Sequence, residues 1–355
     1  MKSFAGKIAV ITGGGSGMGR ELALQLAAMG CDIAICDALP ENMAETKRLC
    51  LSQTPQGTRV ATFVADVSVE DQVLAFAEAV ARDLGTDHIH LLFNNAGIGL
   101  GGSFVDGDRA EWEKTFSVCW YGVYYCTRAF LPLLRKADEG HIVNTSSVNG
   151  FWASLGLGRS HTAYCAAKFG VKGFTEALIT DLVLNAPHIK CSVVMPGHIG
   201  TDIARNSRRI LRGSETAMNV SAVRKGFAAQ GIDVARLSDD QIRARVAEMD
   251  RRFRDNAPVS AADAATIILD GVKAERWRIL VGKAAEFLDD RVRAAPEEAY
   301  SPAFYEAFRK KAQAGEFSLT AARALPMDYP SPQSGLASPR RDNQNSRRSD
   351  PRPRK

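Results

Sequence analysis

Short apolar runs alternate with longer segments of helical periodicity between residues 7 and 281 of this 355-residue chain. Such alternation is typical of a parallel sheet whose strands are joined by crossover helices. The predicted strands cover residues 7–12, 32–37, 59–65, 89–94, 141–146, 190–195 and 278–281. The predicted helices cover residues 17–30, 40–52, 69–84, 110–136, 162–186 and 260–273. We therefore predict an α/β fold, a Rossmann-type doubly wound parallel sheet of about seven strands.

Two segments depart from this alternation. Residues 200–257 form a long polar insertion rich in arginine, and loops of this length usually act as lids or binding segments. Residues 284–313 predict two short helices separated around residues 296–302. From about Pro326 onward Pro, Ser, Asn and Arg dominate, a composition typical of disorder. The expected organisation is a Rossmann-type domain over 1–282 that carries the lid insertion, a helical extension over 283–325 and a disordered basic tail over 326–355.

The net charge of +5 resides in the tail. Residues 331–355 hold seven Arg or Lys and two Asp, so the rest of the chain is formally neutral. A neutral body argues against nucleic acid as the main ligand. The tail lacks interleaved aromatic residues, so we expect at most weak electrostatic contact with RNA, acidic proteins or membrane surfaces.

Cysteine usage and hydropathy indicate the compartment. The seven cysteines are an odd number without C-x-x-C pairs, which indicates reduced, buried thiols rather than disulfides or a metal site. No apolar stretch approaches the length of a membrane span. Residues 1–13 lead directly into a strand pattern without a signal-peptide cleavage region. We expect a cytoplasmic protein with no metal and no membrane partner.

Residues 12–19, T-G-G-G-S-G-M-G, follow the first predicted strand and open a helix. Their G-x-x-x-G-x-G spacing differs from G-x-G-x-x-G, but the glycines still permit a tight turn. The helix start offers free N–H groups and a positive dipole end to a pyrophosphate. As an isolated cluster the glycines would indicate a turn only. The predicted dinucleotide contacts in this turn are Thr12, Gly13, Ser16, Gly17, Met18 and Gly19.

Acidic residues end the second and third predicted strands. Asp37 could accept hydrogen bonds from ribose hydroxyls and repel a 2′-phosphate, and Ser16 leaves no basic side chain before Gly17. The sequence therefore favours NAD over NADP. The alternative is that Asp37 caps the helix that begins near residue 40. Asp66, followed by Val67, either contacts adenine or caps the next helix.

Tyr164 and Lys168, in Y-C-A-A-K, are four residues apart and so share one face of a helix. A free tyrosine titrates near a pKa of about 10, and a neighbouring ammonium favours the phenolate. We expect Lys168 to lower the pKa of Tyr164, so that the phenol exchanges protons with an alcohol at neutral pH. Taken alone, Y-x-x-x-K is common on solvated helices.

Five motifs occur in order at the predicted strand ends. They are T-G-x-x-x-G-x-G at 12–19, N-N-A-G at 94–97, S-S-V-N-G at 146–150, Y-C-A-A-K at 164–168 and P-G-H-I-G-T at 196–201. With these motifs, residues 5–282 resemble the short-chain dehydrogenase/reductase family of NAD(P)-dependent oxidoreductases. The resemblance implies interconversion of a secondary alcohol and a ketone by hydride transfer, with an apolar substrate.

The resemblance also implies the site residues. Ser147 would donate to the substrate oxygen, Tyr164 would act as general acid/base, and Lys168 would support Tyr164 and bind ribose. The implied cofactor contacts after the fourth and sixth strands are Asn95, Ala96, Gly97, Ile199 and Thr201. The family further implies a homodimer or homotetramer built on the helices near 110–136 and 162–186.

Two departures from the family pattern concern the catalytic region. Cys119 stands where the family usually has an asparagine associated with a water relay to the lysine; we expect a core thiol here, with the water held by a backbone carbonyl. Residues 155–159 lengthen the interval between Ser147 and Tyr164 and should reshape the substrate mouth.

Several residues have two interpretations. Phe151, Trp152, Leu155 and Leu157 either line an apolar pocket or pack beneath a loop. His161 either reaches the pocket or, as we expect, lies on the surface at a helix start, and His198 has the same two interpretations. Six basic side chains of the lid would bind an anionic substrate or, as we expect, face solvent: Arg205, Arg208, Arg209, Arg212, Arg224 and Lys225.

A non-catalytic, nucleotide-sensing regulatory protein with the same fold is the alternative function. The presence of Ser147, Tyr164 and Lys168 argues against it, because a sensor does not need to retain a proton-transfer set.

Overall fold

The computed structural model describes residues 1–100, 102–155, 160–214, 216–229 and 231–313. Three predicted segments lie outside these ranges: the basic tail, residues 314–325 of the helical extension, and residues 156–159 between Ser147 and Tyr164, which include Leu157.

The predicted doubly wound sheet is confirmed. Its seven strands run parallel in the order β3-β2-β1-β4-β5-β6-β9. Their bounds are β1 Ile8–Thr12, β2 Asp32–Asp37, β3 Val60–Val64, β4 Leu91–Asn94, β5 Gly140–Thr145, β6 Ile189–Pro196 and β9 Arg278–Val281. Helices cover both faces, which is why β1 and β5 are buried along their whole length.

The helices before the lid are α1 Gly17–Ala28, α2 Pro40–Leu51, α3 Glu70–Asp83, α4 Arg109–Phe116, α5 Gly122–Leu134 and α6 Thr162–Asn185. The predicted helical segment over 110–136 is confirmed, and the π-helical turn Ser117–Tyr121 lies within it between α4 and α5. Leu22 on α1 packs against one face of the sheet, while Phe76 on α3 and Phe130 on α5 pack against the other.

The lid insertion is largely helical. It contains α7 Ile203–Arg212, α8 Val220–Ala229 and α9 Asp239–Asp255. A capping box begins α9, with Ser238 Oγ accepting from the Gln241 N–H and Gln241 Oε1 accepting from the Ser238 N–H. The parallel pair β7 Ile199–Gly200 and β8 Val259–Ser260 closes the base of the lid. Two-residue strands are too short to leave a periodic signal, and the sequence did not predict them.

After the lid follow α10 Ala261–Lys273, β9, α11 Lys283–Ala294 and α12 Pro302–Gln313. The prediction of two helices separated near residues 296–302 is confirmed, with a 3₁₀ turn over Pro296–Glu298 between them. This extension packs on the loop after β5, where Trp152, Phe304 and Phe308 share an apolar cluster. Within the described ranges, every helix is too short or too polar to traverse a bilayer.

Candidate active site

The strand order creates a crevice between β1 and β4. The chain runs from β1 outward to β2 and β3 and then crosses to β4 on the other side. Ligands of open parallel sheets bind outside the carboxyl ends of the strands at such a switch point. The loops that follow β1 and β4 therefore form the walls of a candidate cofactor cleft.

Thr12 holds these two loops together. Its Oγ1 accepts hydrogen bonds from the N–H groups of Asn95 and Ala96, both at 3.0 Å. The Asn95 side-chain amide in turn donates to the Thr12 carbonyl at 3.1 Å. Because Thr12 is only 2% exposed, it supports the cleft wall from behind.

Two glycines are required by the geometry of the turn. Gly13 has a φ of 65°, in the left-handed region that other residues rarely adopt. A Cβ on Gly19 would lie 2.1 Å from the Gly13 carbonyl oxygen, so a side chain there would force the turn away from α1. The helix starts at Gly17, which leaves its first N–H groups and its positive dipole end beside the cleft.

Asp37 lies at the end of β2 and lines the cleft. Its carboxylate accepts hydrogen bonds from the N–H groups of Gly15 and Leu39, both at 3.0 Å. Burial raises the pKa of this carboxyl, and the backbone donors oppose that rise. Since Leu39 is the residue before α2, Asp37 supports the helix start while also facing the cleft.

Asp66 forms an ion pair with Lys114 and accepts hydrogen bonds from the N–H and the hydroxyl of Ser68. Burial favours a higher pKa for Asp66, but these hydrogen bonds outweigh it and hold the pKa below its usual range. The acid therefore organises the turn before α3, and with Val67 it lines the same cleft as Asp37.

Most of the predicted cofactor residues line one cleft. They are Gly13, Ser16, Gly17, Met18, Asp37, Asp66, Val67, Asn95, Ala96, Gly97 and Thr201. Ile199 does not present its side chain to this cleft, because the side chain is 6% exposed and packs in the core. Only the backbone of Ile199 is therefore available to contact a cofactor.

Three lid residues that the sequence analysis missed also line the cleft: Ile203, Asn206 and Ile210. Their spacing of three and seven residues on α7 places them on one helical face, a signal that was present in the sequence. Asn206 donates to Ser16 Oγ at 3.1 Å, which ties the lid directly to the glycine turn.

The six basic residues of the lid all form ion pairs. Each is paired with a carboxylate, several of them far away in the sequence. The pairs are Arg205–Asp202, Arg208–Asp250, Arg209–Glu41, Arg212–Glu111, Arg224–Asp239 and Lys225–Asp106. The expected exposure to solvent is found for Lys225, whose side chain is 76% exposed, but not for Arg208, which is buried. The partners of Arg209 and Arg212 lie on α2 and α4 and approach the lid only in the folded chain.

Ser147, Tyr164 and Lys168 come together at the inner end of the cleft. Ser147 follows β5, and Tyr164 and Lys168 lie in the first two turns of α6. Ser147 hydrogen-bonds to Tyr164, and the Lys168 Nζ lies 5.4 Å from the centre of the Tyr164 ring. A Cβ on Gly97 would lie 3.6 Å from Nζ, so the lysine reaches the wall of the cofactor cleft.

The expected lowering of the Tyr164 pKa by Lys168 is not found. Burial raises the pKa of Tyr164 above its usual value, and the hydrogen bond with Ser147 only opposes that rise. Lys168 is 2% exposed, burial lowers its own pKa, and its Nζ donates to the Thr145 carbonyl at 2.7 Å. Sequence spacing showed that the two side chains share a face but could not show how deeply both are buried.

Cys119 lies in the π-helical turn and is fully buried. Its Sγ contacts the Ile98 carbonyl at 3.3 Å, and the Cys119 side chain is close enough to influence the pKa values of both Tyr164 and Lys168. This position agrees with the expected buried thiol. It also lies directly beside the predicted catalytic residues Tyr164 and Lys168.

His161 and His198 both make specific contacts with other residues of the chain. The His161 ring stacks on Tyr164, with ring centroids 4.6 Å apart and planes inclined by 25°. The expected surface role for His161 is therefore wrong, because the first turn of α6 folds its side chain over the tyrosine. His198 Nε2 donates to the Phe253 carbonyl at 2.6 Å and so joins the P-G-H-I-G-T segment to α9.

The apolar residues after Ser147 pack beneath the C-terminal extension. Trp152 is 3% exposed, and its ring contacts Phe304, Tyr305 and Phe308 at centroid distances of 5.5 to 5.6 Å. Phe151 belongs to the same cluster. For these two residues the packing interpretation is correct. Among the described residues, no group of three His, Cys, Asp or Glu side chains is arranged to bind a metal.

Comparison with known proteins agrees with this architecture. The family model for short chain dehydrogenase matches residues 7–211. The Mycobacterium tuberculosis protein SadH, named as an oxidoreductase, is 36% identical over 290 residues, which cover 81% of this chain and 91% of SadH. Human epidermal retinol dehydrogenase 2 is 36% identical over 201 residues, which cover 56% of this chain and 62% of that protein.

A solved structure shares the fold over most of the chain. The short-chain dehydrogenase/reductase from Burkholderia phymatum, crystallised in complex with NAD, has a TM-score of 0.67 and 31% sequence identity. The match covers 84% of this chain and 95% of the Burkholderia protein. The chain therefore belongs to the short-chain dehydrogenase family, as an oxidoreductase that uses a nicotinamide cofactor to act on CH–OH groups.

Proposed function

We propose that this protein interconverts a secondary alcohol and a ketone with NAD as hydride carrier. The observation that carries the proposal is the meeting of Ser147, Tyr164 and Lys168 beside Gly97 at the inner end of the cofactor cleft. A proton-transfer group and a hydride carrier must both reach one carbon–oxygen bond, and here the Lys168 ammonium at the cleft wall lies 5.4 Å from the centre of the Tyr164 ring.

Each side chain has a distinct part in the proposed reaction. A bound nicotinamide supplies the acceptor or donor of hydride. In oxidation Tyr164 takes the proton of the substrate hydroxyl, and in reduction it returns that proton to the ketone oxygen. Ser147 hydrogen-bonds to the substrate oxygen as its charge changes, and Lys168, whose Nζ reaches the cleft wall at Gly97, binds the ribose of the cofactor.

The cleft fits a dinucleotide and favours NAD. The glycine turn and the start of α1 suit a pyrophosphate, and the Asp37 carboxylate suits ribose hydroxyls while repelling a 2′-phosphate. The nearby Arg20 is already engaged by the Gly15 carbonyl at 2.6 Å and by Thr46 Oγ1 at 3.0 Å. This engagement supports the preference, because a 2′-phosphate would need a basic partner.

An apolar alcohol is the proposed substrate class. It is supported by the similarity to a relative named for retinol, an apolar alcohol, and by the aliphatic side chains of Ile203 and Ile210 on the lid. We place the protein in the cytoplasm, because its seven cysteines are free and buried as in reducing compartments.

A second copy of the chain is the proposed protein partner, giving a homodimer or homotetramer. Tyr121, Tyr124 and Phe169 are 41%, 37% and 42% exposed on the π turn, α5 and α6. Trp120 packs over Gly170, so these elements form one continuous surface. Exposed aromatic clusters of this kind favour association with another subunit.

The test is a screen of secondary alcohols with NAD and of ketones with NADH, following the absorbance of the reduced cofactor. Tyr164→Phe should lower turnover by about 10²- to 10⁴-fold while NADH affinity stays within a few-fold of wild type. Tyr124→Phe, which removes a surface hydroxyl, serves as the matched control. NADH binding without turnover on any substrate would instead support the nucleotide-sensing alternative.

A further inference from the structure

We propose that the C-terminal helix α12 positions Ser147 through Asn149, Trp152 and Ser154, which makes these three side chains positioning residues for the reaction. The inference rests on the proposed function in that Ser147 acts on the substrate oxygen. It assigns a role in the site to the extension that lies after the last strand of the sheet.

The connection starts at the serine itself. The backbone N–H of Asn149 donates to Ser147 Oγ at 3.1 Å. Because this donor occupies one lone pair of Oγ and limits how the hydroxyl rotates, the single hydroxyl proton is available to Tyr164 or, when substrate is bound, to the substrate oxygen. A shift of the 3₁₀ turn Val148–Gly150 would therefore change the direction in which Ser147 donates.

Asn149 then fixes the loop that follows. It is 4% exposed, and its side-chain amide donates to the carbonyl oxygens of Trp152 at 3.0 Å and Ser154 at 2.7 Å. Both amide protons are thereby used to fold residues 149–154 into a compact turn. Buried donors and acceptors of this kind are costly to leave without partners, so the turn is well specified.

The extension holds this turn from the other side. Trp152 Nε1 donates to the Ala299 carbonyl at 2.8 Å, and the Ala153 N–H donates to the Tyr300 hydroxyl at 3.0 Å. Ser154 Oγ hydrogen-bonds to the Tyr305 hydroxyl at 2.9 Å. These three contacts join the segment before α12, and α12 itself, to the segment that leaves the predicted catalytic serine.

Apolar packing makes the same connection. The Trp152 ring lies among Phe304, Tyr305 and Phe308 of α12. The other side of the 3₁₀ turn contacts α6, where a Cβ on Gly150 would lie 2.8 Å from the Lys168 carbonyl oxygen. The turn that carries Ser147 is thus held between the helix of Tyr164 and the C-terminal helix.

The experiment compares three variants in the full-length chain. Tyr305→Phe removes a single hydroxyl and retains the ring, Trp152→Phe removes the indole N–H, and Asn149→Ala removes both amide donors. Lys310→Gln, on the same helix at a side chain that is 72% exposed, is the control. The measurements are kcat, KM, NADH affinity and hydrogen exchange of the peptide covering residues 147–155.

Tyr305→Phe should lower kcat by about two- to tenfold, the effect of one hydrogen bond. Asn149→Ala should lower it by about 10²-fold, as expected for a displaced reacting group. NADH affinity should stay unchanged, and exchange in residues 147–155 should accelerate while that of β1 does not. Trp152→Phe should fall between the two.

Unchanged kcat in Tyr305→Phe and Trp152→Phe with only a lower melting temperature would overturn the proposal, as would unaltered exchange in residues 147–155. If Asn149→Ala does not fold, the kcat and hydrogen exchange of Tyr305→Phe and Trp152→Phe test the proposal. If wild type turns over no alcohol or ketone, the proposed function fails, and the exchange data alone determine whether α12 holds the Ser147 segment.

Discussion

The Lys168 ammonium lies 5.4 Å from the centre of the Tyr164 ring and donates to the Thr145 carbonyl at 2.7 Å. The Lys168 ammonium therefore contacts a backbone carbonyl oxygen and lies near the phenol ring in a buried site. Burial raises the pKa of Tyr164 and lowers that of Lys168.

The direction of these shifts predicts how the two reactions depend on pH. Alcohol oxidation requires the tyrosinate, whose fraction below the pKa changes about tenfold for each pH unit, so kcat/KM should rise with pH through the neutral range. Ketone reduction requires the phenol and should stay level there. A neutral-pH plateau for oxidation in wild type would contradict the raised pKa.

Removal of the Asp37 carboxylate should relax the choice of nicotinamide cofactor. Asp37→Ala should lower kcat/KM with NAD by at least about tenfold, the effect of hydrogen bonds to a charged group, and improve use of NADP. Asp37→Asn is the milder variant, because it removes the charge but retains one oxygen that accepts from one of the two N–H groups, those of Gly15 and Leu39. Failure of NADP use to improve in both variants would show that Asp37 does not face the ribose.

His141 should make the fold sensitive to acid. It is 1% exposed, its Nε2 lies 2.7 Å from Ser192 Oγ, and burial lowers its pKa to about 4. Between pH about 6.5 and 4 the unfolded chain binds a proton at this residue and the folded chain does not. The free energy of unfolding should therefore fall by up to about 3 kcal/mol as the pH drops through this range.

Chemical denaturation at several pH values measures the effect of His141. The variant His141→Gln, which does not titrate, should show a smaller loss of stability over the same range. His88→Gln, at a half-exposed histidine, should keep the wild-type loss. Equal pH dependence in His141→Gln and wild type would mean that other groups cause the acid sensitivity.

The ion pair between Arg212 and Glu111 should strengthen cofactor binding. Arg212 Nη2 donates to Glu111 Oε2 at 2.9 Å and holds the end of α7, whose Asn206 contacts Ser16. Glu111→Gln should weaken NADH affinity by about two- to fivefold, the typical effect of a single ion pair, as measured by calorimetry. Glu113→Gln, which breaks the exposed pair with Arg109 on the same helix, is the control. If Glu111→Gln and Glu113→Gln bind NADH with equal affinity, the ion pair between Arg212 and Glu111 does not affect cofactor binding and the prediction is wrong.

The aromatic surface of α5 and α6 should mediate self-association. Tyr124→Glu and Phe169→Glu place charges on this surface and should raise the dissociation constant of the oligomer by at least about 30-fold, judged by sedimentation. Leu51→Glu, at a similarly exposed apolar residue on α2, should leave the assembly intact. A monomeric wild-type protein would contradict the proposed interface.

Local sequence determined the sheet and the cofactor turn. The seven strands could be predicted because each is a short apolar run bounded by turn residues, and the glycines at 13 and 19 are dictated by backbone geometry within a few residues. The sharing of one helical face by Tyr164 and Lys168 likewise follows from their spacing alone.

Tertiary structure decided what depends on distant contacts. The pKa of Tyr164 is set by burial, the lid arginines are neutralised by Glu41 and Glu111, and Trp152 is enclosed by α12. Periodicity describes which side of an element is apolar, whereas desolvation and ion pairing depend on which elements meet. For that reason the sequence by itself determined the identity of the reacting groups, and only the folded chain determined their electrostatic surroundings and their supports.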